Sequence, residues 1–149
     1  MAEETEINLL EDLSEIDIAW LAGLLEGEGS SQVDDRSATR YKVSTSPPSP
    51  FIKIEMVDED VIKKVATMVN KKMFSPKRKT IKKKQTYQVH IGDRPTLRIL
   101  LPRLFPYLGA RRQAQAQPLL DALKAHEEWL AQGGLSKMAK EGPKAKKNS

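Results

Sequence analysis

Two glycines four residues apart inside an apolar run constrain this chain more than any other feature. They are Gly23 and Gly27, in Trp20-Leu21-Ala22-Gly23-Leu24-Leu25-Glu26-Gly27-Glu28-Gly29. On a helix these positions share a face and leave a groove without side chains. A second helix can enter that groove more closely than the usual interaxial distance of about 8–10 Å. Leu21, Leu24 and Leu25 form an apolar stripe beside it, so the predicted seam is Leu21, Ala22, Gly23, Leu24 and Gly27. Glu28 falls where the helix should end, with Gly29 behind it as the expected left-handed C′ residue. A symmetric partner would set a second Glu28 beside the first, and two adjacent carboxylates call for a cation. The plainer alternative is a buried amphipathic helix with a glycine cap.

The rest of the composition narrows the chemistry. A chain of 149 residues, 39% hydrophobic, is one domain able to bury its own core. It has no cysteine, which excludes disulfides and thiolate metal sites, and its only histidines are His90 and His126. Any metal is therefore expected to be a hard cation held by oxygen, Mg²⁺ or Mn²⁺. No apolar run reaches the roughly 18 residues of a membrane span, and the acidic N-terminus is unlike a signal peptide. A soluble, intracellular protein with no membrane partner is expected. The net charge of +5 hides a strong asymmetry. Residues 1–28 hold nine acids and no Lys or Arg, whereas eight bases and no acid lie from Lys71 to Lys84. Such a basic body favours a polyanion, although charge runs are often only solvated surface.

Periodicity gives an α+β reading. Residues 1–12 are expected to be an acidic disordered tail, residues 13–132 one domain, and residues 133–149 a Lys-rich flexible tail. Ser14 with Asp17 is a weak capping box for a first helix, and Leu13 and Ile18 are placed for a hydrophobic staple. Residues 30–43 read as a polar strand, Ser44 to Pro50 as a loop, and Phe51 to Val57 as an alternating strand. Asp58-Glu59-Asp60 opens a helix with Val61, Ile62, Val65, Met68 and Val69 inward. Gln85 to Ile91 alternates again: Tyr87, Val89 and Ile91 face inward, and Lys84, Thr86, Gln88 and His90 outward. Lys77 to Ile81 is its expected hairpin partner. Leu97 to Leu101 reads as a short helix ended or kinked at Pro102, and Arg111 to Gln132 as the last helix. The order is α-β-β-α-β-β-α-α, without an internal repeat. His126 and Trp129 look like ordinary surface and packing positions.

The stretch LAGLLEGEG resembles the motif that names the LAGLIDADG homing endonucleases, with Glu28 where Asp is more usual. The resemblance extends over roughly residues 14–131. It implies a core of α-β-β-α-β-β-α with helices backing a curved antiparallel sheet. It also implies that Glu28 is the metal ligand, assisted by the Gly27 carbonyl. The family has a basic residue at the start of its last helix, in a pattern like L-x-x-K. Leu108-Gly109-Ala110-Arg111-Arg112-Gln113 is similar, which makes Arg111 a catalytic candidate, or Arg112 if the register slips by one. The plainer reading is that both contact phosphate or sit in the first helical turn. Two departures are notable: Ser30-Ser31 replaces bulkier apolar residues, so the first strand is expected to be poorly anchored. The second strand offers Lys53 and Glu55 but no Gln near its end to position a water.

One copy of the motif implies a homodimer and a pseudo-palindromic double-stranded DNA target. The expected DNA-contacting residues are Gln32, Asp34, Arg36, Lys53, Lys77, Lys79, Lys82, Lys84, Thr86, Gln88 and His90. Outward polar residues are also what any solvated strand shows. Three functions remain open: a metal-dependent double-strand endonuclease, a DNA-binding regulator or RNA-splicing maturase that does not cleave, and a basic interaction protein.

Overall fold

A computed structural model of the protein describes residues 10–34, 47–77 and 84–133. In chain order the elements are α1 (Glu15–Glu28), β1 (Gly29–Asp34), β2 (Ser49–Met56), α2 (Glu59–Val69), β3 (Tyr87–Ile91), α3 (Arg94–Leu104), a 3₁₀ turn (Phe105–Tyr107) and α4 (Ala110–Ala131). The α+β class is as expected, with the expected hairpin partner of β3 only partly described, because 78–83 lie outside the described residues. Among the described residues β3 meets Phe74 instead, through one antiparallel bridge at Gln88.

Helix α1 starts as its sequence dictates: the Ser14 hydroxyl accepts the Asp17 N–H at 3.0 Å. It is apolar on two opposite sides. Ile18, Leu21, Ala22 and Leu25 are buried in the core, while Ile16 is 81% exposed and Ala19, Gly23 and Gly27 are exposed with it. Two of the five seam residues are thereby corrected. Leu21 and Ala22, 0% and 1% exposed, are consumed by this chain's own core and are unavailable to a partner.

Gly29 is also corrected. It is extended (φ −84°, ψ 159°), so the helix runs straight into β1 without a left-handed cap. Glycine is needed there for space, since a Cβ would sit 2.9 Å from Leu25 Cα and 2.5 Å from its Cδ2.

The sheet is antiparallel in the order β1-β2-β3. Gly29 pairs with Ile54 and Lys53 with His90, so the pleat sorts side chains onto two faces. Ile52, Ile54, Val89 and Ile91 point inward to a core to which α1, α2, α3 and α4 all contribute. Ser30, Gln32, Phe51, Lys53, Glu55, Gln88 and His90 occupy the opposite face. Strand β2 begins two residues inside the stretch read as loop, with Pro50 opposite Val33. There β2 has no β3 neighbour, so the missing N–H is tolerated as on an edge strand.

Leu10, read as part of the tail, is 1% exposed and belongs to the core. Arg103 holds this segment by donating to the Leu10 and Glu11 carbonyls, both at 3.3 Å, and to Glu15 at 2.7 Å. The Tyr107 hydroxyl donates to the same carboxylate, at 2.6 Å. These two donors lower the Glu15 pKa, Tyr107 first and Arg103 second.

Helix α3 starts three residues earlier than expected and runs through Pro102. Asp93 caps it by accepting the Thr96 N–H at 3.2 Å, and Pro95 lies in the first turn. Pro102 is exposed, while Leu97, Leu100, Leu101 and Leu104 on the inner face are all at most 1% exposed. Their burial outweighs one missing backbone bond. Burial pushes the Asp93 carboxyl up, but the Lys71 ammonium 2.6 Å away and the Thr96 hydroxyl hold it below the usual value. At the other end of the core, His126 accepts from Arg98 through Nδ1 at 3.2 Å. Burial, then Arg94 and Arg98, lower its pKa, consistent with a packing role.

Candidate active site

The C-terminus of α1 meets the N-terminus of α4, and the two ends are interlocked. The Glu26 carboxylate reaches across to accept the Gly109 N–H at 3.2 Å, placing an acid at the positive end of α4. At Gly109 the approach is close: a Cβ would lie 2.8 Å from Glu26 Oε1, so the carboxylate would have to shift to admit one. In return Arg112 donates through Nε to the Glu26 carbonyl at 2.9 Å and through Nη1 to the Gly29 carbonyl at 2.8 Å. Gln115 accepts from the same Nη1 at 2.9 Å. A cation is thus set at the negative end of α1, its donors bracketing Gly27 and Glu28.

Glu28 itself is the last residue of α1 and is exposed. An acid in the last turn is opposed by the helix dipole, by about 0.3–1 kcal/mol. Among the described residues its carboxylate has no hydrogen bond or ion pair to offset this. Gly27 beside it is open, with nothing within 4 Å of where a Cβ would be. Its carbonyl belongs to the helix end, where acceptors lack an i+4 donor. Such donors suit a hard divalent cation. One chain is not enough, however: among the described residues no group of three or more Asp, Glu or His gathers to hold a metal.

Arg111 and Arg112, alternatives in the sequence, part company here. Arg111 is exposed in the first turn of α4. Arg112 is committed to two backbone carbonyls and to Gln115, so it supports the site from beneath.

The outer sheet face carries part of the expected DNA-contacting set. Gln32, Lys53 and His90 lie there, with His90 stacked on Phe51 at 4.9 Å between ring centroids. Asp34 ends β1 opposite Ser49 on the same side. Lys77 and Lys84 are exposed. Thr86 and Gln88, expected as solvated outward residues, are 6% and 9% exposed. The Thr86 hydroxyl donates to Glu55 Oε2 at 2.6 Å, and Gln88 is tied through both backbone groups to Phe74. Arg36, Lys79 and Lys82 lie outside the described residues. Of the two serines after the motif, Ser30 faces outward and Ser31 inward, onto a small apolar cleft with Leu25, Ile52 and Leu104. An apolar side chain would fill that space, so the departure weakens the β1 anchor on the inner face only.

Sequence reasoning gave Glu26 no role, and it named Thr86 as a DNA-contacting residue and Glu55 as part of the polar face of the second strand without pairing the two. Glu26 had a signal in its i, i+2 relation to Glu28, but its partner is 83 residues away in the chain. The Glu55–Thr86 contact spans 31 residues and leaves no mark in local periodicity.

No family model and no curated protein matches the sequence. Solved structures do. The chain is similar to homing endonuclease I-CvuI in complex with the I-CreI target (TM-score 0.57, 18% identity, 82% of this chain and 74% of that one). It is similar to LAGLIDADG meganuclease I-CpaMI bound to uncleaved DNA (0.59, 21%, 79% and 40%). A third is the I-LtrWI LAGLIDADG homing endonuclease bound to target DNA (0.54, 13%, 89% and 43%). The chain therefore spans less than half of the I-CpaMI and I-LtrWI chains but about three quarters of I-CvuI. With its glycine-faced helix ending in an acid above an antiparallel sheet, this chain has the fold of the LAGLIDADG homing endonucleases.

Proposed function

We propose that the protein is a homodimeric endonuclease that makes a double-strand cut in a nearly palindromic DNA site with the help of Mg²⁺ or Mn²⁺. The observation that carries this reading is the outer face of α1. Ile16, Ala19, Gly23 and Gly27 are exposed along it, and it ends in Glu28, whose carboxylate has no partner among the described residues. An apolar helix face with open glycines is stabilised by a second copy of itself, and a twofold axis there brings Glu28 beside its counterpart. The match to about 40% of the I-CpaMI chain, which has room for two such units, supports the same arrangement.

Each residue then has a defined task. Glu28 and the Gly27 carbonyl would hold the metal together with their counterparts in the second copy. When bound, the ion supplies an activated water and charge neutralisation at the scissile phosphate. Arg111 places a permanent positive charge near that phosphate, and being an arginine it acts as a charge and not as a base. Arg112 and Glu26 fix the backbone that carries Glu28. The outer sheet face lies along the duplex, its side chains reaching base edges and phosphates.

The test is cleavage of a library of DNA targets with Mg²⁺ by the wild type and by Glu28→Gln. Cuts by the wild type alone, with DNA retained by both, support the enzyme. Binding without cuts by either protein assigns the chain to the regulator or maturase reading instead.

A further inference from the structure

Glu55 is the anomaly of the outer sheet face. This carboxylate shares the outer face with Phe51, Lys53, Gln88 and His90, a surface assigned to a polyphosphate partner that repels it. Yet the side chain is held in place. Thr86 donates to Oε2 at 2.6 Å, and Lys53 Nζ lies 3.9 Å from Oε1. Thr86 is only 6% exposed, so its hydroxyl is a fixed part of the fold and not a mobile surface group. Lys53 and Glu55 stand two residues apart on one strand, hence on the same side of the sheet. A cationic donor and an anionic acceptor are thus presented side by side in a set order.

A G·C pair offers the complement of that arrangement. In the major groove guanine shows two acceptors, N7 and O6, and the paired cytosine shows its N4 amino donor next to O6. An ammonium fits the two guanine acceptors, and a carboxylate fits the amino group. An A·T pair gives the ammonium one acceptor where guanine gives two: adenine shows N7 alone beside its amino donor, and thymine shows O4 beside a methyl group. We infer that Lys53 and Glu55 read one G·C pair in each half of the target, with Lys53 on guanine O6 and N7 and Glu55 on cytosine N4. Thr86 is the positioning residue. This rests on the DNA-binding reading above and assigns it a base preference. It also accounts for the acid: opposite any acceptor Glu55 would face lone pairs, which penalises wrong sites and bare phosphates alike.

The experiment is selection of bound duplexes from a pool with randomised half-sites, by the full chain and its variants. The wild type should enrich G·C at one position per half-site by about tenfold or more. Glu55→Gln and Lys53→Met should lose that preference while keeping the others. Thr86→Val should weaken it at the same position without loosening a non-selected duplex, and Thr86→Ser should restore it. A profile unchanged in Glu55→Gln, or A·T at the affected position, overturns the inference and leaves DNA binding intact. A wild type that retains no duplex overturns the proposed function itself, and this inference falls with it.

Discussion

The residue with the most to lose from substitution is Arg112, because one guanidinium satisfies two backbone carbonyls on either side of Glu28. Charged hydrogen bonds of this kind contribute about 1.5–3 kcal/mol when the partners are left bare. Arg112→Gln should therefore lower unfolding stability by about that much. It should also reduce the turnover rate more than DNA affinity, since the loosened peptide carries Glu28, the proposed metal ligand, and not the side chains proposed to touch the duplex. Denaturant unfolding beside separate kcat and KM measurements checks both; an equal loss in the two kinetic constants would contradict the positioning role. Asp93 gives a prediction in pH. Its folded pKa is lowered, so its ion pair with Lys71 contributes stability above the unfolded carboxyl value of about 3.9, and this is lost as pH falls through the folded value. Asp93→Asn keeps a capping side chain but not the charge. It should be less stable than the wild type at pH 7, with the gap closing in acid; urea midpoints at both pH values decide it.

Among the elements, α1 is the one whose two faces serve different masters. Its inner face is closed by the core, and its N-terminal half is further tied to α2 by Lys64, whose Nζ sits 4.0 Å from the Trp20 ring centroid. Its outer face is open, and at Gly23 a Cβ would touch nothing. Substitution there should thus act in opposite directions on folding and on association. Gly23→Leu should stabilise the single chain by up to about 1 kcal/mol through helix propensity. The same side chain fills the groove and should weaken the proposed dimer about tenfold or more, read by sedimentation equilibrium. Tighter folding with unchanged association would show that the seam lies elsewhere. At the other end of the chain, α3 and α4 each carry an exposed proline inside the helix, Pro102 and Pro118. Both persist because the buried leucines of the same turns hold the helix to the core.

For the molecule as a whole, charge and shape are divided between separate regions. Among the described residues, no helix is long and apolar enough to cross a membrane. Residues 1–28 carry only acids, and the five lysines after residue 132 face a single glutamate in the same stretch. On the proposed reading, that Lys-rich end should add charge without reading bases. Deleting residues 135–149 should weaken binding to every DNA sequence alike and flatten the salt dependence by roughly 0.9 for each phosphate no longer neutralised. Titrations of a selected and an unrelated duplex at several salt concentrations test this, and a changed sequence preference would count against it.

The motif helix, the alternating strands Phe51–Val57 and Gln85–Ile91, and the α2 stripe were legible because each is a local periodicity written by burial on one face. Glu28 was legible for the same reason, as the acid at the end of an apolar helix. The side of α1 left open was not, because Leu21 and Gly23 look equally suited to a seam until the core claims Leu21. Nor were the extended Gly29, the passage of α3 through Pro102, or the pairing of Glu26 with Gly109 and of Thr86 with Glu55. The two pairings depend on which surfaces meet across 31 and 83 residues of chain, and such meetings are settled by close packing in three dimensions and not by the order of residues along a segment.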